Sequence, residues 1–155
     1  MAKILARCVV IVLVFAITSI CLLSLERPKD KAQVYRNMIN KEFSVSLDSE
    51  NSILKSENTI LSRDSVYVIC FNIDDSVVSD LINADIEWKD EMDLLLQQYL
   101  LPHQQYIKGI DEIIRSVKED KCLYRIKIKN DVTGDFKLLV LNPNEKTLFF
   151  FYLTT

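Results

Sequence analysis

The chain has 155 residues, of which 49% are hydrophobic and 26% charged, with two glycines and three prolines. That composition excludes a collagen, a disordered tail and a disulfide miniprotein, and the length leaves room for one domain. Net charge is −3, but Lys3 and Arg7 are the only charges before Glu26, so residues 26–155 carry 17 cations against 22 acids. This surplus of acids argues against a generic polyanion binder.

Residues 9–25, VVIVLVFAITSICLLSL, hold no charge and are followed at once by Glu26, Arg27, Pro28, Lys29, Asp30 and Lys31. At ~1.5 Å per residue this run spans about 26 Å, close to the ~30 Å hydrocarbon core of a bilayer, and Arg7 can snorkel to lengthen it. Signal cleavage wants small residues at two positions before the cut, and no A-x-A occurs here. The segment therefore reads as a transmembrane signal-anchor, with a removed signal peptide, or a lipoprotein cut before Cys21, as the alternatives. Lys3 and Arg7 should hold residues 1–8 in the cytoplasm, which places the remainder outside the cytoplasmic membrane.

Beyond the anchor, residues 26–42 read as a linker with a short amphipathic helix, in which Val34, Met38 and Phe43 fall at helical spacing. From residue 43 the pattern is that of an α+β domain running to 155. FSVSL at 43–47 alternates, SILKS at 52–56 is its candidate partner, and VYVICFNI at 66–73 is apolar on both faces, as a central strand should be. The period then changes. Asp75 or Ser76 should cap a helix through Asn83, with Val77, Val78, Leu81 and Ile82 facing inward. A second helix is expected over 89–100, stopped by Pro102, which should itself open a third. In that third helix Tyr106, Ile107, Ile110, Ile113, Ile114 and Val117 make a core-facing stripe, with Gly109 inside it.

Alternation returns at Cys122, Tyr124, Ile126 and Ile128, with Arg125, Lys127 and Lys129 on the opposite face. Turns at 130–135 and 142–146 complete a three-stranded meander whose last strand, TLFFFYL, is apolar on both sides and belongs inside the sheet. The fold expected is a transmembrane helix followed by a small antiparallel sheet with its helices segregated on one face.

Residues 74–93 hold eight acids against Lys89 alone, a net of −7. Acids gather naturally at helix starts and on solvated helix faces. The functional reading is a patch formed by Asp85, Glu87, Asp90 and Glu91 that draws a basic protein partner, with Trp88 as an aromatic anchor. Arg125, Lys127 and Lys129, with Arg115, Lys118 and Lys121, make a contrasting basic strip suited to pairing with the acidic helices or to facing anionic lipid. No aromatics interleave with it on that face, so nucleic acid is not an expected partner.

Cys70 and Cys122 are the only cysteines beyond the anchor. In an oxidising compartment a bridge between them would close a loop of about 50 residues, worth about 4 kcal/mol; the alternative is two buried thiols. The sequence contains no G-x-S-x-G, P-loop, H-E-x-x-H or dinucleotide fingerprint, and its one histidine, His103, sits at an expected helix start. No catalytic residue, cofactor or metal is expected, and the chain reads as a binding protein rather than an enzyme.

In size, anchor, and Cys70 with Cys122, the chain resembles small anchored bacterial immunity proteins, such as those protecting against colicin M, and membrane superinfection-exclusion proteins of prophages. The likeness covers architecture and transfers no site. It implies a domain that neutralises or excludes an incoming macromolecule. An accessory subunit docking onto an envelope complex, and a hydrolase built on a carboxylate pair, are the alternatives.

Overall fold

The last strand decides the architecture, because every residue from Thr147 to Phe151 is buried. Alternate residues of a strand point to opposite faces, so such a strand needs cover on both sides. The computed structural model describes residues 30–61, 65–84, 87–130 and 134–154, and Ala32–Thr155 form one compact unit. The expected anchor at 9–25 lies outside the described residues, and no described helix is long and apolar enough to cross a membrane.

Five strands, β1 (Ser52–Leu61), β2 (Ser65–Ile73), β3 (Leu123–Asn130), β4 (Asp135–Asn142) and β5 (Thr147–Thr154), form one antiparallel sheet in the order β1-β2-β5-β4-β3. The meander of β3, β4 and β5 has the expected connectivity, and β2 and β5 are interior strands. Helices, however, cover both faces rather than one. On the first face Val68 and Cys70 of β2, Leu138 of β4 and Phe149 and Phe151 of β5 pack against Leu95, Leu100 and the stripe Ile110, Ile113, Ile114 and Val117. On the second face Ile69, Phe71, Leu139, Leu148 and Phe150 pack against Ile39, Phe43, Val77, Val78 and Leu81. Segregation onto one face fails for a simple reason. Each core side chain buried this way contributes about 1.5–3 kcal/mol, and one layer of helices would leave half of β2, β4 and β5 in water.

The second-face cover starts with helix α1 (Lys31–Phe43). Its Ala32, Arg36, Ile39 and Phe43 are buried, so the segment read as a linker belongs to the body of the domain. Phe43 meets Phe150 edge-to-face at 6.1 Å. The Arg36 guanidinium donates to the carbonyl of Ser52 from Nη2 at 2.6 Å and Nε at 3.1 Å, tying α1 to the start of β1. Residues 43–47 keep the expected alternation, with Phe43, Val45 and Leu47 buried and Ser44 and Ser46 exposed, yet they join no strand. The amide of Asn40 takes the place of a neighbouring strand: its Nδ2 donates to the carbonyl of Leu47 at 3.1 Å and its Oδ1 accepts from the Leu47 N–H at 2.9 Å. Helix α2 (Asp75–Asn83) completes this layer, with Val77, Val78 and Leu81 inward and Ile82, expected inward, 44% exposed.

The first-face cover is broken into short pieces. Helix α3 (Met92–Leu95) passes into a π-helical turn (Leu96–Leu100) and a 3₁₀ turn (Leu101–His103), where Pro102 has no N–H to continue the ladder. The next helix, α4 (Ile110–Glu119), starts at Ile110 rather than Pro102, and Tyr106 is 71% exposed instead of joining the core. Its C-terminal end is held by Asn142, whose Nδ2 donates to Ser116 Oγ at 2.7 Å and Asp120 Oδ2 at 2.9 Å.

Gly109 marks the boundary of α4 with φ +92°, a conformation that side chains oppose. A Cβ there would also lie 2.9 Å from Asn58 Cγ on β1. Gly109→Ala should therefore lower stability in urea denaturation by about 1–3 kcal/mol, and adding Asn58→Ala should restore only the packing share of that loss. Unchanged stability in Gly109→Ala would contradict this account of the α4 start.

Candidate functional site

The acidic segment divides into two parts. Asp74, Asp75 and Asp80 belong to α2 or its N-cap and are exposed, and Asp75 pairs with Lys146 at 2.8 Å. Asp85 lies outside the described residues. The second part wraps the β3 edge of the sheet. Trp88 donates its indole N–H to the carbonyl of Leu81 at 2.8 Å and packs with the second-face core. Next, Lys89 and Tyr124 of β3 exchange two backbone hydrogen bonds of 2.8 Å, and Met92 then enters the first-face core. The chain thus passes from one face to the other around the edge, pinned at each step. Because the backbone of Lys89 is spent on this bridge, the helix expected from residue 89 begins only at Met92.

Glu87, Asp90, Glu91 and Asp93 stay exposed on this strap. Asp90, Glu91, Met92, Asp93 and Leu94 line a depression of about 650 Å³. Leu94 is 37% exposed and gives the site an apolar contact that the sequence reading missed, while Trp88, the expected anchor, is held within the domain. Tyr124, beneath the strap, is fully enclosed, and burial, with the carboxylate of Glu91 next in effect, raises the pKa of its phenol. Leu94 could have been found from its place directly after the last acid, Asp93, once the helix was known to be short; nothing local signals that shortening.

Among the described residues no ion pair joins the basic strip to these acids. Arg125 Nη1 donates to the carbonyl of Phe43 at 3.1 Å, and Lys127 Nζ donates to the carbonyl of Glu42 while lying 5.6 Å from the centre of the Phe43 ring. Both cations therefore serve the C-terminal carbonyls of α1, which lack partners within the helix and carry the negative end of its dipole. Lys137 Nζ sits 2.6 Å from Glu42 Oε1, and this contact holds the Glu42 carboxyl below the usual range. Strand register also sets Tyr67, Tyr152, Lys137 and Lys127 in one transverse row. The two tyrosine rings stack on each other at 5.8 Å and Lys137 lies over Tyr152 at 5.1 Å. This neighbourhood was invisible in sequence because it depends on the pairing of β2 with β5.

Cys70 and Cys122 are free and buried, and the bridge considered from the sequence is not formed. Cys70 lies on β2 and Cys122 immediately before β3, with β5 and β4 between those strands. Burial pushes the Cys70 thiol up to about 12 and the Cys122 thiol up to about 11, so neither supplies a thiolate at neutral pH. Among the described residues no group of three or more His, Cys, Asp or Glu side chains converges to hold a metal ion. Compared with known proteins, the chain matches no family, no curated protein and no solved structure.

His103 packs its ring against Phe136 at 5.9 Å and Phe151 at 6.3 Å, and burial lowers its pKa from the ordinary value of 6.5. The fold thus favours the neutral imidazole. Its contribution to stability is complete above about pH 6.5, where the unfolded chain also holds it neutral, and is lost as pH falls through the depressed folded value. Urea midpoints should fall between pH 7.5 and 5.5 in the parent and fall less in His103→Gln. Equal slopes in the two proteins would refute this placement of the ring.

Proposed function

We propose that the chain is a membrane-anchored, non-enzymatic binding domain held outside the cytoplasm by residues 9–25, and that it neutralises or excludes an incoming macromolecule. The observation that carries the binding reading is the strap around the β3 edge. Its backbone is fixed by the Lys89–Tyr124 bridge and by Trp88 and Met92 anchored on opposite faces, while Glu87 and, around Leu94, Asp90, Glu91 and Asp93 remain exposed. A backbone already held in place loses little conformational freedom on binding, and the field of the carboxylates it carries steers a basic partner toward the surface. The partner is accordingly a protein with a basic contact patch, and its association weakens with salt.

Full-length chain expressed in a bacterial membrane should protect cells against a particular toxin or phage within a broad challenge panel. Replacing Asp90, Glu91 and Asp93 by their amides should cut that protection about tenfold or more at equal membrane abundance. Indifference of the cells to the whole panel, or protection that survives the amide replacements, would contradict the proposal.

A further inference from the structure

The strap covers only the first part of the β3 edge. Lys89 bonds both backbone groups of Tyr124, so the N–H and C=O of Tyr124 point away from β4. Backbone groups alternate in direction along a strand, and β3 pairs with β4 in register from Leu123 to Ile128. The N–H groups of Leu123, Arg125 and Lys127 therefore belong to the β3–β4 ladder, whereas those of Ile126 and Ile128 point outward. β3 is the last strand of the sheet, and Lys89–Tyr124 is the only isolated bridge among the described residues. This outward run is a template for a further strand, and the antiparallel Lys89 bridge bounds it at the Tyr124 end.

Its side chains specify the chemistry of the addition. On the first face Ile126 is half-buried and Ile128 is 53% exposed; on the second, Arg125 and Lys127 are half-buried. Lys129, at the end of the run, is exposed. The hydrogen bonds made by Arg125 and Lys127 go to neutral carbonyls rather than to a carboxylate, although the Glu42 carboxylate lies close enough to Lys127 to feel its charge. Residues directly opposite in an antiparallel pair share a face, so an added strand meets isoleucines with one set of alternate residues and cations with the other. A second copy of β3 paired about a two-fold axis would oppose cation to cation, which rules against self-association here.

We infer that the β3 edge from Arg125 to Lys129 binds an extended segment of a partner protein as an added antiparallel strand, with acidic residues opposite Arg125 and Lys127 and apolar residues opposite Ile126 and Ile128. The site is distinct from the acidic depression and does not depend on it.

The probe is a short synthetic peptide alternating Glu and Val, blocked at both ends, with a Lys and Val peptide as its counterpart, added to the full chain in detergent micelles. Amide hydrogen exchange at Ile126 and Ile128 should slow about tenfold at a Glu peptide concentration ten times its Kd, and should not respond to the Lys peptide. Ile128→Pro removes an N–H that points away from the ladder, a substitution edge strands accept, and should abolish the protection read at the Ile126 amide. Lys129→Glu, on an exposed side chain, should weaken the Glu peptide and admit the Lys peptide. Unprotected Ile126 and Ile128 amides, equal effects of the two peptides, or Glu-peptide binding undiminished in both variants would overturn the inference.

Discussion

The double-sided burial of β2, β5 and β4 governs the rest of this structure. Phe149 and Phe151 face one layer while Leu148 and Phe150 face the other, and the same division separates Val68 and Cys70 from Ile69 and Phe71. A sheet of this kind is stable only when both faces are dry. The chain meets that demand by sending α1 and α2 to one side and the α3–α4 segment to the other. With both faces occupied over the core, the surfaces left for partners are the edges and the segments that pass around them.

The placement of charge follows from this constraint. Residues 87–92 have to travel from the α2 layer to the α3 layer, and the β3 edge is their route. Acids on that passage stay in water because its apolar residues, Trp88 and Met92, turn inward on opposite faces. The cations of β3 are placed by the opposite end of the fold: α1 finishes over the second face, and Arg125 and Lys127 reach its last carbonyls. Acidic strap and basic strand therefore lie at one edge without neutralising each other. Each is held by a backbone requirement that no pairing between them would satisfy.

What the sequence discloses follows the range of the interactions involved. The β3–β4–β5 meander rests on local turns and strict alternation, and it emerges with the expected connectivity. The stripe of Ile110, Ile113, Ile114 and Val117 likewise reports burial correctly. A stripe says that a helix is covered and not which face of the sheet covers it, so the two-layer arrangement was out of reach. Residues 43–47 show the same limit from the other side. Their burial alternates as in a strand, while the hydrogen bonds that would make them one go to the side chain of Asn40. At the site, the exposure of Glu87, Asp90 and Glu91 was legible from charge density. The inward commitment of Trp88 depends on a carbonyl at the end of α2, and the loss of helix at Lys89 depends on Tyr124, 35 positions further along the chain.

Native-state hydrogen exchange of the full chain tests the central constraint most directly. If β5 is enclosed on both faces and paired on both edges, the amides of Phe149, Phe150 and Phe151 should exchange only through global unfolding, at one common free energy shared with the interior of β2 and β4. Should the amides of β5 exchange as readily as the outward amides of the edge strands, or open in two steps belonging to the two helical layers, the doubly covered sheet would not be the element on which this domain depends.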